Sequence, residues 1–506
     1  MTTLIKNIVC VDGTGQAPYK ADVLIKDKKI LAIGSFPSYR ADETIAGNEA
    51  YCVPGFFDMN ASADKYLTLF SQPLQSDFLH QGVTSILIGN CGFSLAPLFY
   101  GSLSQFAHWG GNDHININWK STREFLDVLD RQYPTGVNVA TLVGHKVIRE
   151  GLMKDPSQFR ALSANELQVF RGVLIQALKD GAFGMSTGLG YYPYQGTGYH
   201  ELRALVDAVK SGGGIYETHL RNEKEGLKDS VDETIRLSRD VGITAIIAHL
   251  RPFLGFESDY ADAIVKIEED TARADVYFDM NPFDESAVPL DSFIPDNLRE
   301  MDRNALLEKM DDPTVASRVL QNIPTIDAAH TIIFNTPELP FLHGKSLATF
   351  AQNRDLTGRK ALLELMRAAK LRGAVFYRNL HAASIDKALL SGRSLIASNS
   401  PSFDASMPDS QKPKRATGTF AEFLARADRA GISVEKAIMK ITGLPAKILG
   451  IEGRGLLALG YAADCSIITR DREIKYVFVN GSAMVREGSV VANQRRAGMA
   501  IRKKKS

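Results

Sequence analysis

Short stretches that alternate apolar and polar residues crowd both ends of the chain. Ala21–Lys26 alternates with period two, Asp27–Lys29 reads as a turn, and Ile30–Gly34 returns, which predicts a hairpin. Near the other end, Ala463–Ile468, Tyr476–Val479 and Ala483–Val485 read as strands around an Asn480-Gly481 turn. These two clusters predict one small β-sandwich domain built from both termini, residues 1–54 with 450–495. Between them, apolar runs alternate with stretches whose apolar residues recur every three or four positions, as in Glu166–Lys179, Leu202–Ser211 and Lys224–Val241. Candidate strands end near Asn60, Cys91, His145, Thr187, His219, His249, Asn281 and Asn399. Strands alternating with helices in this number predict an α/β fold, a (β/α)8 TIM barrel over residues 55–449. Residues 284–392 are too many for one βα unit and predict a helical insertion over the barrel mouth, with helices at Asn297–Lys309, Gly358–Leu371 and Ser384–Leu390.

Composition narrows the classes. With 59 Lys+Arg against 58 Asp+Glu in 506 residues, the net charge of +1 speaks against nucleic-acid binding, which needs concentrated positive charge. No apolar run reaches the roughly 18–20 residues of a membrane helix. The start Met1–Lys6 lacks the features of a secretory signal, so a cytoplasmic location is expected. Residues 496–506 are basic and predict a solvated, flexible tail. Four cysteines make no disulfide framework, and Cys10, Cys52 and Cys465 read as small core residues in apolar runs.

In barrels of this kind the chemistry lies at the C-terminal ends of strands. Cys91, His219 and His249 stand at such ends, and one thiolate with two imidazoles makes a three-ligand zinc site with an open fourth position. Spacing alone does not separate this from coincidence, because ligands drawn from different strands have no fixed interval. The other histidines, His80, His108, His114, His200, His330, His343 and His381, read as surface or capping residues, and His145 as core or as support for the site.

Longer motifs decide between these readings. Val11-Asp-Gly-Thr-Gly15, Val53-Pro-Gly-Phe-Phe-Asp58, Gln81-Gly-Val-Thr84, Gly89-Asn-Cys-Gly92, Leu142-Val-Gly-His145, Gly184–Leu189, Thr218-His-Leu-Arg221, Ala248-His-Leu-Arg251 and Thr442–Ala446 resemble the amidohydrolase superfamily, and within it the N-acyl-D-amino-acid deacylases. The resemblance implies a barrel with a small β-domain, hydrolysis of the amide of an N-acyl amino acid, and zinc held by Cys91, His219 and His249. It also implies Arg415 as the arginine for the substrate carboxylate, Arg251 in place of a family lysine, and Tyr191 as a pocket residue. Two departures stand out. The family's first-strand His-x-His, which supplies a second metal position, is Asn60-Ala-Ser62 here, so one zinc per chain is expected. The eighth-strand aspartate that serves as acid and base is Asn399, and Asp404 is the nearest carboxylate that could replace it. The expected partner is a small N-acyl amino acid or related amide, with no nucleic acid and no membrane. The alternative is a catalytically impaired descendant that binds zinc or ligand in a regulatory role. A cyclic-amide hydrolase of the hydantoinase type fits less well, because those enzymes place a metal-bridging lysine where this chain has Ser186-Thr187.

Overall fold

The computed structural model describes all residues except 100–114, 116, 154–158, 271–272, 300, 335, 353, 410–411, 492–495 and 505–506. His108 and His114 lie outside the described residues.

The barrel strands are almost wholly buried, as parallel strands covered on both faces must be, and they mix apolar residues with buried polar ones such as Ser186, Glu217 and Asp279. Phe56–Asp58, Val83–Ile88 and Asn138–Thr141 pair in parallel. Val143–Gly144, Gly184–Gly188, Ile215–His219, Thr244–Ile247, Asp275–Met280 and Ser394–Ile396 form a second parallel run. Asn138–Thr141 and Val143–Gly144 act as one interrupted third strand, with Phe183 N donating to Thr141 O at 2.9 Å. The last strand closes on the first through loop contacts: Ser398 N donates to the Asp58 carboxylate at 3.1 Å and Asn399 N to Asn60 O at 2.8 Å. Helices on the outside follow the apolar period. Ala164–Asp180 begins at a capping box in which Ser163 and Glu166 satisfy each other's backbone N–H groups.

The small domain is one nine-stranded sheet. Tyr51–Pro54 joins the two chain ends by pairing antiparallel with Cys465–Ile468 and parallel with Thr2–Cys10. Asn480 and Gly481 both take positive φ, as a tight hairpin turn requires. A Cβ on Gly481 would lie 1.8 Å from Asp27 O, so the turns at the two ends of the sheet meet face to face. Cys10, Cys52 and Cys465 are buried in the enclosed core and unbridged.

Two expectations are corrected. The insertion is not purely helical: Glu285–Pro289, Ala374–Arg378 and Ile332–Phe334 form an antiparallel sheet with its own apolar core around Phe293, Met310 and Leu362. Its first predicted helix is split into Asp296–Arg299 and Arg303–Lys309, because the Asp302 carboxylate caps a new start by accepting from Asn304 N and Ala305 N. The helix expected at Ser384–Leu390 runs Ala382–Leu390 and packs on the eighth barrel strand. Residues 497–504 are not a loose tail. Val139 N donates to Met499 O, Ile501 N donates to Val139 O, Ala500 and Ile501 are buried, and Arg502 pairs with Asp127 and Asp130. Apolar residues ahead of the basic ones anchor it along the third barrel strand.

Candidate metal centre

Of the polar residues read from the sequence, His219 is the last residue of its strand, while Cys91, His249 and Asn399 sit two or three positions beyond theirs, on the first turns of the βα loops. Cys91 follows Val83–Ile88 in a turn made by Gly89 and Gly92, where a Cβ would lie 2.3 Å from Leu142 O and 2.8 Å from Gly188 N respectively. Cys91, His249 and Asn399 all hold positive φ (58°, 36° and 47°), a strained conformation that here gathers at one end of the barrel. Cys91 N donates to Glu217 Oε2 at 3.0 Å and His249 N to Asp279 Oδ1 at 2.9 Å, so buried carboxylates fix both loops.

These turns bring Cys91, His219 and His249 together, with one ligand atom from each within 4.8 Å of the others and all three residues buried. Cys91 Sγ lies 3.4 Å from His249 Nε2, and the imidazole centroids are 4.5 Å apart. His219 Nδ1 is buried with no hydrogen-bond partner. Burial pulls both imidazoles below their ordinary pKa, which keeps them neutral and able to ligate. Burial also pushes up the Cys91 thiol, and raises Glu217 to about 8 and Asp279 to about 7. Lys65, itself buried, opposes that excess of acid. Burial works against its charge, but Cys91, which it hydrogen-bonds, together with Asp64 and Glu217 holds the ammonium firmly protonated. Soft and borderline donors, an orphaned imidazole nitrogen and crowded carboxylates together suit a divalent cation of the zinc type.

Glu223 lies on the far side of the imidazoles, with Oε2 3.4 Å from His219 Nε2 and Oε1 3.4 Å from His249 Nδ1. The same carboxylate accepts from Arg251 Nε at 3.0 Å and from its Nη2. Arg251 is therefore engaged inside the site. Tyr191 packs its ring 4.5 Å from His219 and 5.7 Å from Phe93.

Arg415, in the first turn of Lys414–Arg429, is only 4% exposed, with its guanidinium 4.9 Å over Phe376 and its Nε unpartnered. Burial pulls its pKa down to about 10. A charge so desolvated is an anion site in waiting.

The departed positions are knitted into the wall of the barrel. Asn60 Nδ2 donates to Asp279 Oδ2 at 3.2 Å, and Ser62 Oγ donates to Asn399 Oδ1 at 3.3 Å. Asp404 is not brought to the centre. It is exposed and accepts from Ser406 N and Oγ and from Gln72 Nε2, closing its own turn. His145 is core, 3.0 Å from Glu201, and exposed His330 pairs with Asp327. Sequence reasoning passed over Lys65, Glu217, Glu223 and Asp279. Glu217, two residues before His219 in a buried strand, and Glu223, four after it, carried a legible signal; Lys65 carried none.

The Amidohydrolase family profile matches residues 370–484. Among curated proteins, the D-aminoacylase of Alcaligenes xylosoxydans xylosoxydans is 28% identical over 464 residues, covering 90% of this chain and 85% of that one. The N-acyl-D-glutamate deacylase of the same organism is 27% identical over 496 residues, covering 94% and 91%. Among solved structures, a D-aminoacylase superposes with a TM-score of 0.79 at 25% identity over 99% of both chains. An N-acyl-D-glutamate deacylase from Bordetella bronchiseptica, solved with zinc and a phosphonate mimic of the tetrahedral intermediate, gives 0.78 at 23% identity over 99% of both. A D-hydantoinase shares the fold at 0.59 and 14% identity.

Proposed function

We propose that this relative of the D-aminoacylases, in the amidohydrolase superfamily, is a one-zinc hydrolase that cleaves the amide of an N-acyl amino acid. The observation that carries the reading is the buried Cys91, His219 and His249 cluster with its unpartnered His219 Nδ1. Zinc held there supplies Lewis-acid polarisation of an amide carbonyl and makes water acidic enough to attack near neutral pH. Arg415 binds the substrate carboxylate, its fork of donors matching the two oxygens. Phe376 packs against that guanidinium and keeps water from it. Tyr191, beside His219, supports the acyl side of the pocket.

Asn60 Nδ2 and Ser62 Oγ donate to Asp279 and Asn399, and neither residue offers the imidazole a second metal position needs, which favours a single metal over a pair. A second reading rests on Asn399 itself. An amide neither takes nor returns a proton, and Asp404 is tied up on the surface, so a ligand-binding protein without turnover is the competing conclusion. Zinc analysis run beside an amine-release screen over N-acyl-D- and N-acyl-L-amino acids separates the two. Zinc with turnover supports the hydrolase, and zinc without turnover on any of them supports the binding protein.

A further inference from the structure

We infer that Glu223 is a positioning residue which orients both imidazoles of the metal centre at once and is itself held by Arg251. The inference rests on the reading that Cys91, His219 and His249 hold a metal.

His249 turns Nε2 to within 3.4 Å of Cys91 Sγ, and the Nδ1 atoms of both imidazoles are buried without a hydrogen-bond partner. Glu223 Oε1 lies 3.4 Å from His249 Nδ1 and its Oε2 lies 3.4 Å from His219 Nε2, so one carboxylate stands beside one nitrogen of each ring. A carboxylate so placed favours the tautomers with N–H toward Glu223, which leaves His249 Nε2 and His219 Nδ1 free to ligate. Arg251 grips the same two oxygens from behind and fixes their plane. Arg251 is therefore the counter-ion of Glu223 in this state, and its positive charge opposes a cation at the centre. A substrate carboxylate that reached Arg251 would have to compete with Glu223, so Arg415 is left to receive it.

The test uses the full-length protein and zinc alone, titrated against a competing chelator. Glu223→Gln keeps the volume but removes one acceptor and the charge, and zinc affinity should fall about 10- to 100-fold, the usual range for such partners. Arg251→Met loosens Glu223 but also removes a charge that opposes the cation, so zinc affinity should fall clearly less than in Glu223→Gln. Unchanged affinity in Glu223→Gln, or a loss in Arg251→Met as large as in Glu223→Gln, overturns the inference. If Glu223→Gln does not fold, Glu223→Asp, which keeps the charge and withdraws it from the imidazoles, is read in its place. Failure of the metal reading shows separately, as wild-type protein that binds no zinc or binds it as well after Cys91→Ala.

Discussion

Replacing Arg415 with methionine should make the protein more stable and worse at binding a carboxylate. The guanidinium is 4% exposed, and burial lowers its pKa from the usual 12.5 to about 10. At about 1.4 kcal/mol per tenfold, the charged form is disfavoured by about 3 kcal/mol on folding. A base with a lowered folded pKa bears this cost in full below pH 10 and sheds it only as pH rises toward 12.5, so the cost is complete at pH 7. Methionine keeps the apolar stem and loses the contact over Phe376, worth about 0.5–2 kcal/mol, the attraction of nearby Tyr66 and Glu285 being already contained in the net shift. The net expectation is a gain of about 1–3 kcal/mol, or about 1–3 °C in melting midpoint at ~2.1 cal/mol/K per residue. Binding should move oppositely, weakening by the 1.5–3 kcal/mol typical of a charged hydrogen bond, roughly tenfold to a hundredfold. Scanning calorimetry measures the first quantity, and isothermal titration with N-acetyl-D-leucine and N-acetyl-D-glutamate measures the second. A lower melting midpoint together with unchanged affinity would refute the assignment of Arg415 to the ligand.

Asp58 offers a pH test: burial raises its pKa to about 6, so its favourable contribution is whole below pH 4 and is lost as pH rises through 6. Asp58→Asn should match wild type near pH 4 and exceed it by about 1–3 kcal/mol at pH 8, and equal differences at both pH values would contradict the burial argument. Ile501→Ala should cost about 2–4 kcal/mol in chemical denaturation, whereas a free tail would show no effect. If the eighth-strand position faces substrate, Asn399→Asp should raise amine release by up to the roughly 10²- to 10⁴-fold of one general base. Asp404→Asn should leave the rate within about twofold, because its carboxylate closes a surface turn; a large loss there would return Asp404 to the site.

Much of the centre was legible because strand ends are short, apolar and punctuated by one polar residue. Cys91, His219 and His249 could be picked out that way, and the structure gathers them within 4.8 Å. Arg415 was reached only through resemblance, since a lysine-arginine pair at a helix start otherwise reads as surface. Lys65 acts from a loop, and no periodicity marks a charged loop residue as buried, whereas Glu223 was marked by its place four residues after His219. Asp404 misled because nearness along the chain is not nearness in space: Ser406, two residues on, satisfies it first. The insertion's sheet was missed because strands as short as Ile332–Phe334 are decided by long-range pairing, not by local pattern. At the end of the chain, basic composition concealed the apolar Met499-Ala500-Ile501 step that docks it.

The proposed hydrolase depends on one zinc held by Cys91, His219 and His249, and elemental analysis of the protein purified without chelator, beside Cys91→Ala prepared identically, reads that zinc out. About one zinc per chain is expected in wild type and almost none in the variant, because the thiolate supplies the charge that balances the cation. Equal zinc in both proteins, or two per wild-type chain, would rule out the single Cys91, His219 and His249 site.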